Sequence, residues 1–187
     1  DTINAYTTGT VTLTSVADTV ANITAIDALT TSQVNMASAS ITVTDQVTKA
    51  NVDTINAYTT GTVTLTSVAD TVANITAIDA LTTSEVTMAA ANVSITDTGA
   101  TKAQVDAVNA FTTGTVTPTS LTEDRADIAT LQGTTGISLA TTNITVTDQI
   151  TKANADTINA YTTGTVTLTS VADTVANITA IDALTTS

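Results

Sequence analysis

The 187-residue chain has no cysteine, histidine or tryptophan, a single proline, seven glycines and only four basic residues, Lys49, Lys102, Arg125 and Lys152. Each shortage removes something. Without cysteine there is neither a disulfide framework nor thiol chemistry, and folding does not depend on the redox compartment. Without histidine or cysteine, and with one arginine, the usual nucleophile–base pairs, metal clusters and anion clamps cannot be assembled, so no enzyme and no cofactor are expected. Four cations against 17 anions leave a net charge of −13 and no basic patch to neutralise phosphates, which excludes a nucleic-acid partner. No apolar run reaches the roughly 18 residues of a spanning helix, so no membrane span is expected. Aromatic residues make up 2% of the chain, so a core drawn from its 42% hydrophobic residues must be thin and aliphatic.

What is abundant is threonine, 51 residues of it, and repetition. The stretch DTINAYTTGTVTLTSVADTVANITAIDALTTS stands at Asp1–Ser32, again at Asp53–Ser84 and again at Asp156–Ser187. A catalytic site needs different groups converging from different directions, so an enzyme has little use for such copies, whereas a fibre or scaffold does. A related stretch begins at Asp106, and successive copies start 52, 53 and 50 residues apart, a spacing found in solenoids and arrays. The same letters at both ends predict one continuous solenoid segment, residues 1–187, cut from a longer array. Its repeats fall at about 1–40 (partial), 41–92, 93–143 (divergent) and 144–187 (partial).

Each period of about 52 residues holds two halves that read as a strand followed by a helix. In ITVTDQVTKANVDTINAYTTG (Ile41–Gly61), Ile41 and Val43 alternate with Thr42 and Thr44, the period of a strand with one buried face. Val52, Ile55 and Tyr58 then form a helical stripe, with Gly61 as its C-terminal stop. In TVTLTSVADTVANITAIDALTTS (Thr62–Ser84), Val63 and Leu65 oppose Thr62, Thr64 and Thr66; Ser67 with Asp70 predicts a helix N-cap, and Val68, Val72, Ile75, Ile78 and Leu81 make one apolar stripe. Val86 and Met88 read as a short extra strand. Strand, crossover helix and parallel strand form a right-handed unit that stacks. The expected fold is an α/β repeat solenoid with a parallel β-sheet on one side and short helices on the other, two strand–helix coils per period, stabilised by neighbouring coils.

Several residues invite a role. Thr42, Thr44, Thr62, Thr64, Thr66, Thr145, Thr147, Thr165, Thr167 and Thr169 all lie opposite the aliphatic face and would stack into a ladder that is solvated, packed on a second sheet, or ice-binding. Asp45, Asp97 and Asp148 end first-half strands; one carboxylate per repeat falls short of the six to eight oxygens that Ca²⁺ takes, which favours a turn or cap role over a cation site. Lys49, Lys102 and Lys152 precede Asp53, Asp106 and Asp156 by four residues, which predicts weak helical ion pairs. Asn22, Asn74, Asn92, Asn143 and Asn177 match the glycosylation acceptor pattern, as chance allows in a chain this rich in Asn and Thr, and a glycan on Thr or Ser is left open. In the divergent repeat, Pro118 replaces the inward Leu65, Arg125 replaces the stripe residue Val72, and Gly133 ends the helix a turn early. A strand proline belongs at an edge or bulge, and a lone arginine on a buried stripe needs a carboxylate, so Pro118 and Arg125 mark an expected assembly contact or drift in a tolerant array.

The segment SVADTVANITAIDAL (Ser67–Leu81), with Asp70-Thr71, Ala73-Asn74-Ile75 and Ala80-Leu81, resembles strand–helix repeats of very large secreted or cell-surface proteins of cyanobacteria and proteobacteria. The likeness covers Ser15–Leu29 and Ser170–Leu184 as well, and implies a surface or matrix role without chemistry. The glycine- and aspartate-rich calcium nonapeptides that some of those proteins carry have no counterpart in this sequence, so calcium binding is not implied. The expected function is a structural protein that builds an extracellular fibre, sheath or surface layer from stacked and laterally associated coils, with copies of itself as partners. The alternative is the rod, spacer or ligand-binding region of a giant adhesin, including an ice-binding Thr face.

Overall fold

The computed structural model describes residues 6–29, 33–83 and 85–184. It is an α/β structure of parallel β-sheets alternating with short helices, seven of them α-helices among the described residues. The chain forms two compact units, residues 1–93 with Phe111–Gly114, and residues 94–110 with 115–187.

The first unit runs β1 (Val11–Thr12), β2 (Ser15–Asp18), α1 (Val20–Asp27), β3 (Val34–Asn35), β4 (Ser40–Val47), α2 (Lys49–Asn56), β5 (Val63–Asp70), α3 (Val72–Asp79), a 3-10 turn at Ala80–Thr83 and β6 (Val86–Thr87). Strands β2, β4, β5 and β6 pair in parallel in chain order, aligning Val16, Ile41, Val63 and Val86 in one row and Ala17, Thr42, Thr64 and Thr87 in the next. Side chains in a strand alternate between faces. The first row is accordingly buried with Val43, Leu65 and Val68, together with Ile23, Val52, Ile55, Ile75 and Ile78 from the helices. Met36 and Met88, each just beyond a short strand, are fully buried as well. Strand β7 (Asn92–Ile95) spans the division between the units.

The second unit holds α4 (Lys102–Asn109), β8 (Val116–Pro118), β9 (Ser120–Glu123), α5 (Arg125–Gly133), β10 (Asn143–Ile150), α6 (Lys152–Asn159), β11 (Val166–Val171) and α7 (Val175–Leu184). Strands β9, β10 and β11 are parallel in that order, with Leu121, Ile144 and Val166 in one row and Thr122, Thr145 and Thr167 in the next. In both units the first-half strand carries a bulge against the strand that follows it. Thr44-Asp45 stand opposite Thr66 alone, and Thr147-Asp148 opposite Thr169 alone. An extra residue bends the strand and re-aims its side chains.

Two sequence expectations change here. Ser67 does not cap a helix: it pairs with Gln46 inside β5, which buries Val63 and Leu65, slips by one residue opposite the bulge, buries Val68 and runs on to Asp70. The helix starts four residues later, behind Thr71, whose backbone is extended (φ −69°, ψ 156°) and whose hydroxyl accepts from the Asn74 amide. Gly61 is not the stop of α2 either. That helix ends at Asn56 over Ala57, and Gly61 lies where a Cβ would sit 2.3 Å from the Ala39 carbonyl oxygen, a contact only glycine avoids.

Candidate assembly faces

Parallel pairing brings an acidic residue of a later segment to the N-termini of α1, α2, α4, α5 and α6. Asp45 accepts a hydrogen bond from the Val20 amide that opens α1 (3.0 Å), and Asp70 from the Lys49 amide that opens α2 (2.8 Å). In the second unit, Glu123 accepts from Lys102 at the start of α4 (2.6 Å), Asp148 from Arg125 at α5 (2.9 Å) and Asp173 from Lys152 at α6 (2.9 Å). The first amides of a helix have no intrahelical acceptor and carry the positive end of its dipole, so a carboxylate from the next segment both satisfies and neutralises them.

Asp18, Asp70 and Asp173 also bind their own helices. Each accepts from the following Thr amide and from the Asn side chain four residues on, at 2.7–2.8 Å. For Asp18, the Asn22 side chain and the Thr19 amide hold the carboxyl below the usual carboxylate range. Burial opposes the charged form of Asp70, but the Lys49 amide, the Asn74 side chain and the Thr71 amide outweigh it and lower its pKa. The Lys152 amide, Asn177 and the Thr174 amide do the same for Asp173. Asn22, Asn74 and Asn177, three of the glycosylation-pattern residues, thus have their side-chain amides committed to these carboxylates.

A second stitch lies at the other end of each strand. Thr59 is buried, donates its hydroxyl to the Ala39 carbonyl (2.6 Å) and accepts from the Gly61 amide (2.9 Å), while Thr60 donates both its amide and its hydroxyl to the Ala37 carbonyl. Thr112-Thr113-Gly114 repeats this on Ala91 and Ala89, and Thr162-Thr163-Gly164 on Thr142 and Ala140. The cap role expected of Asp45 and Asp148 holds, though on helices more than twenty residues earlier, while the threonine stitch was not foreseen from the sequence. The TTG triplet before every second-half strand was its visible signal, since Gly without a turn to make points to close backbone approach.

The threonines divide into three groups. Thr42 and Thr64 stand side by side, as do Thr145 and Thr167, and Thr87 and Thr122 lengthen the two rows. Thr44, Thr66, Thr147 and Thr169 fall at the bulges, where the Thr66 and Thr169 hydroxyls donate to the Val43 and Val146 carbonyls (2.8 Å each). Thr62 and Thr165 are exposed just before β5 and β11. Each unit therefore holds one short in-register threonine row, with the bulge and pre-strand threonines outside it.

Pro118 is buried at the end of β8, where its carbonyl accepts from the buried Thr142 hydroxyl (2.7 Å). Arg125 is exposed at the first position of α5 instead of on a buried stripe, because the equivalent Val72 also opens its helix and is only half-buried. Among the described residues no carboxylate pairs with its guanidinium; Asp124 caps α5 through the Asp127 amide and Glu123 is taken by Lys102. The three lysine–aspartate pairs form at 2.5–2.7 Å. Their aspartate side chains are exposed, so solvent screening leaves these pairs weak. No described helix is long and apolar enough to cross a membrane, and no group of three or more acidic side chains among the described residues is placed to hold a metal ion. No protein-family model, curated protein or solved structure matches the chain.

Proposed function

We propose that the chain is a structural repeat protein: an α/β solenoid whose coils stack and associate side by side into an extracellular fibre, sheath or surface layer, with copies of itself as partners and no catalytic role. The observation that carries this reading is the carboxylate stitch. A contact that ties a carboxylate at a bulge or strand end to the helix of the preceding segment, and that recurs at Asp45, Asp70, Glu123, Asp148 and Asp173, is a rule for adding segments rather than a site for a ligand. Identical strand–helix segments present identical edges, so addition has no built-in end. The likeness of Ser67–Leu81 to repeats of large surface proteins supports the extracellular placement. Sedimentation of native material tests the proposal: large or filamentous assemblies support it, and a discrete monomer at all concentrations counts against it.

The adhesin reading, a rod or spacer with an ice-binding face, is favoured by the in-register pairs Thr42–Thr64 and Thr145–Thr167. Thermal hysteresis that disappears in Thr64→Lys with Thr167→Lys would select it; absence of hysteresis in the unmodified protein removes the ice variant.

A further inference from the structure

The helices of the first unit pack on one face of its sheet and leave the other open. The row Val16, Ile41, Val63 and Val86 is buried, and side chains alternate along a strand, so Ala17, Thr42, Thr64 and Thr87 form the neighbouring row on the opposite face. Ser15 and Ser40 stand side by side next to it. Ser15, Ala17 and Ser40 are exposed and the three threonines are half-buried. Strands β4 and β5 have a strand on either side, so the openness of this face does not come from a missing neighbour in the sheet. The Thr42 and Thr64 hydroxyls have no hydrogen-bond partner among the described residues, whereas Thr66 on the same strand as Thr64 donates to the Val43 carbonyl. Thr122, Thr145 and Thr167 repeat the row in the second unit.

Charge selects the occupant. The chain carries a net −13, yet these rows hold no charged and no aromatic residue. The acids lie elsewhere: Asp18, Asp45 and Asp70 accept hydrogen bonds at helix N-termini, and Asp53 stands on α2. Two copies of so acidic a chain repel each other wherever their carboxylates meet, and a face without charge on both is where they approach without that cost. A basic partner would be drawn to the acids instead. Sheets of parallel strands are almost always covered on both faces. We infer that the open threonine face is the surface on which a second copy of this chain docks, by the same face across a two-fold axis, sheet on sheet, with threonine methyls and free hydroxyls between. This rests on the side-by-side association proposed above and names its face. Strands β2, β4, β5 and β6 at about 4.8 Å spacing, and two rows about 7 Å apart, give a face of only about 300 Å² per copy, against roughly 800 Å² for a standard interface. Single chains therefore pair weakly, and the contact strengthens as coils are added.

The chain has no cysteine, so one introduced into the full chain reports the contact. Ser40→Cys on the open face and Asp53→Cys on the helix layer, both at exposed positions, are treated at millimolar protein with a bis-maleimide that reaches about 10 Å, the separation of packed sheets. The expected yield of covalent dimer is about tenfold higher for Ser40→Cys, because docking raises the local thiol concentration. Adding Thr64→Lys to the Ser40→Cys chain should return the yield to the control level with the circular dichroism unchanged, since like charges then face each other across the two-fold. That change makes the chain less negative, so a general effect of charge would raise the yield instead. Equal yields at the two positions, or a yield that survives Thr64→Lys, overturns the inference, and equal yields with thermal hysteresis overturn it in favour of ice. Native filaments with equal yields would keep the stacking reading and sink this face, while face-specific crosslinking without filaments would keep the face and sink the fibre.

Discussion

Replacing Asp70 by alanine removes three hydrogen bonds at once: to the Lys49 amide of the preceding segment, to the Thr71 amide and to the Asn74 side chain. A capping side chain contributes about 1 kcal/mol at a helix N-terminus, and hydrogen bonds to a charged group about 1.5–3 kcal/mol when desolvated. Asp70 is half-exposed, so water replaces part of what is lost, and the expected destabilisation is about 2 kcal/mol. Asp70→Asn keeps an acceptor without the charge and should lose about half of that. Asp53→Ala, which breaks only the exposed Lys49 pair, is the control, with an expected loss of about 0.3–0.5 kcal/mol. Urea unfolding followed by far-ultraviolet circular dichroism measures all three, the midpoint shifting at constant slope. Exchange of the Lys49 amide reports the stitch itself and should accelerate in Asp70→Ala but not in Asp53→Ala. Equal, small shifts for Asp70→Ala and Asp53→Ala would refute the view that strand-end carboxylates hold successive segments together.

Gly164→Ala puts a Cβ 2.4 Å from the Thr142 carbonyl oxygen and should destabilise by about 1–3 kcal/mol, whereas Gly133→Ala, with nothing within 4 Å, should be neutral or stabilising by about 0.5–1 kcal/mol; thermal melts of the two variants check the contrast. Thr59→Val leaves the Ala39 carbonyl and the Gly61 amide without their partner in a buried setting, for an expected loss of about 1–3 kcal/mol, while Thr59→Ser should retain most of the stability in the same urea assay. The lowered carboxyls of Asp18, Asp70 and Asp173 mean that the unfolded chain binds more protons near the usual value of 3.8. Their contribution is fully present above that value and is lost as pH falls through the folded-state values, so unfolding free energy should drop below about pH 3.8, with a shallower drop in Asp70→Asn.

The sequence carried the alternation of strands and helices well, because period-2 Thr/Val runs and apolar stripes such as Val52–Ile55 are written locally. It misplaced the strand–helix joint in the second half. Ser67 and Asp70 have the spacing of a capping box, but Val68 belongs to the inward row of β5, and only the pairing with Gln46 and Val47 reveals this. Asp45 and Asp148 were legible as caps, yet the helix each one caps lies 25 and 23 residues earlier in the chain, a relation set by parallel packing and not by local spacing. The Thr-Thr-Gly stitch was hidden for the same reason: its acceptors, Ala37 and Ala39, carry no side-chain signal. Arg125 looked buried because stripe arithmetic continued through Val68 and Val72, and once the helix begins at Val72 that position is half-exposed.

Low-dose electron microscopy and diffraction of the native material test the stacking of segments most directly. Strands adding one after another predict filaments with a reflection near 4.8 Å along the axis, and a longer axial repeat of roughly 29 Å if each of the six strand–helix coils in 155 residues adds one strand. Discrete short particles that do not polymerise, or filaments whose strand spacing lies across the axis, would contradict it.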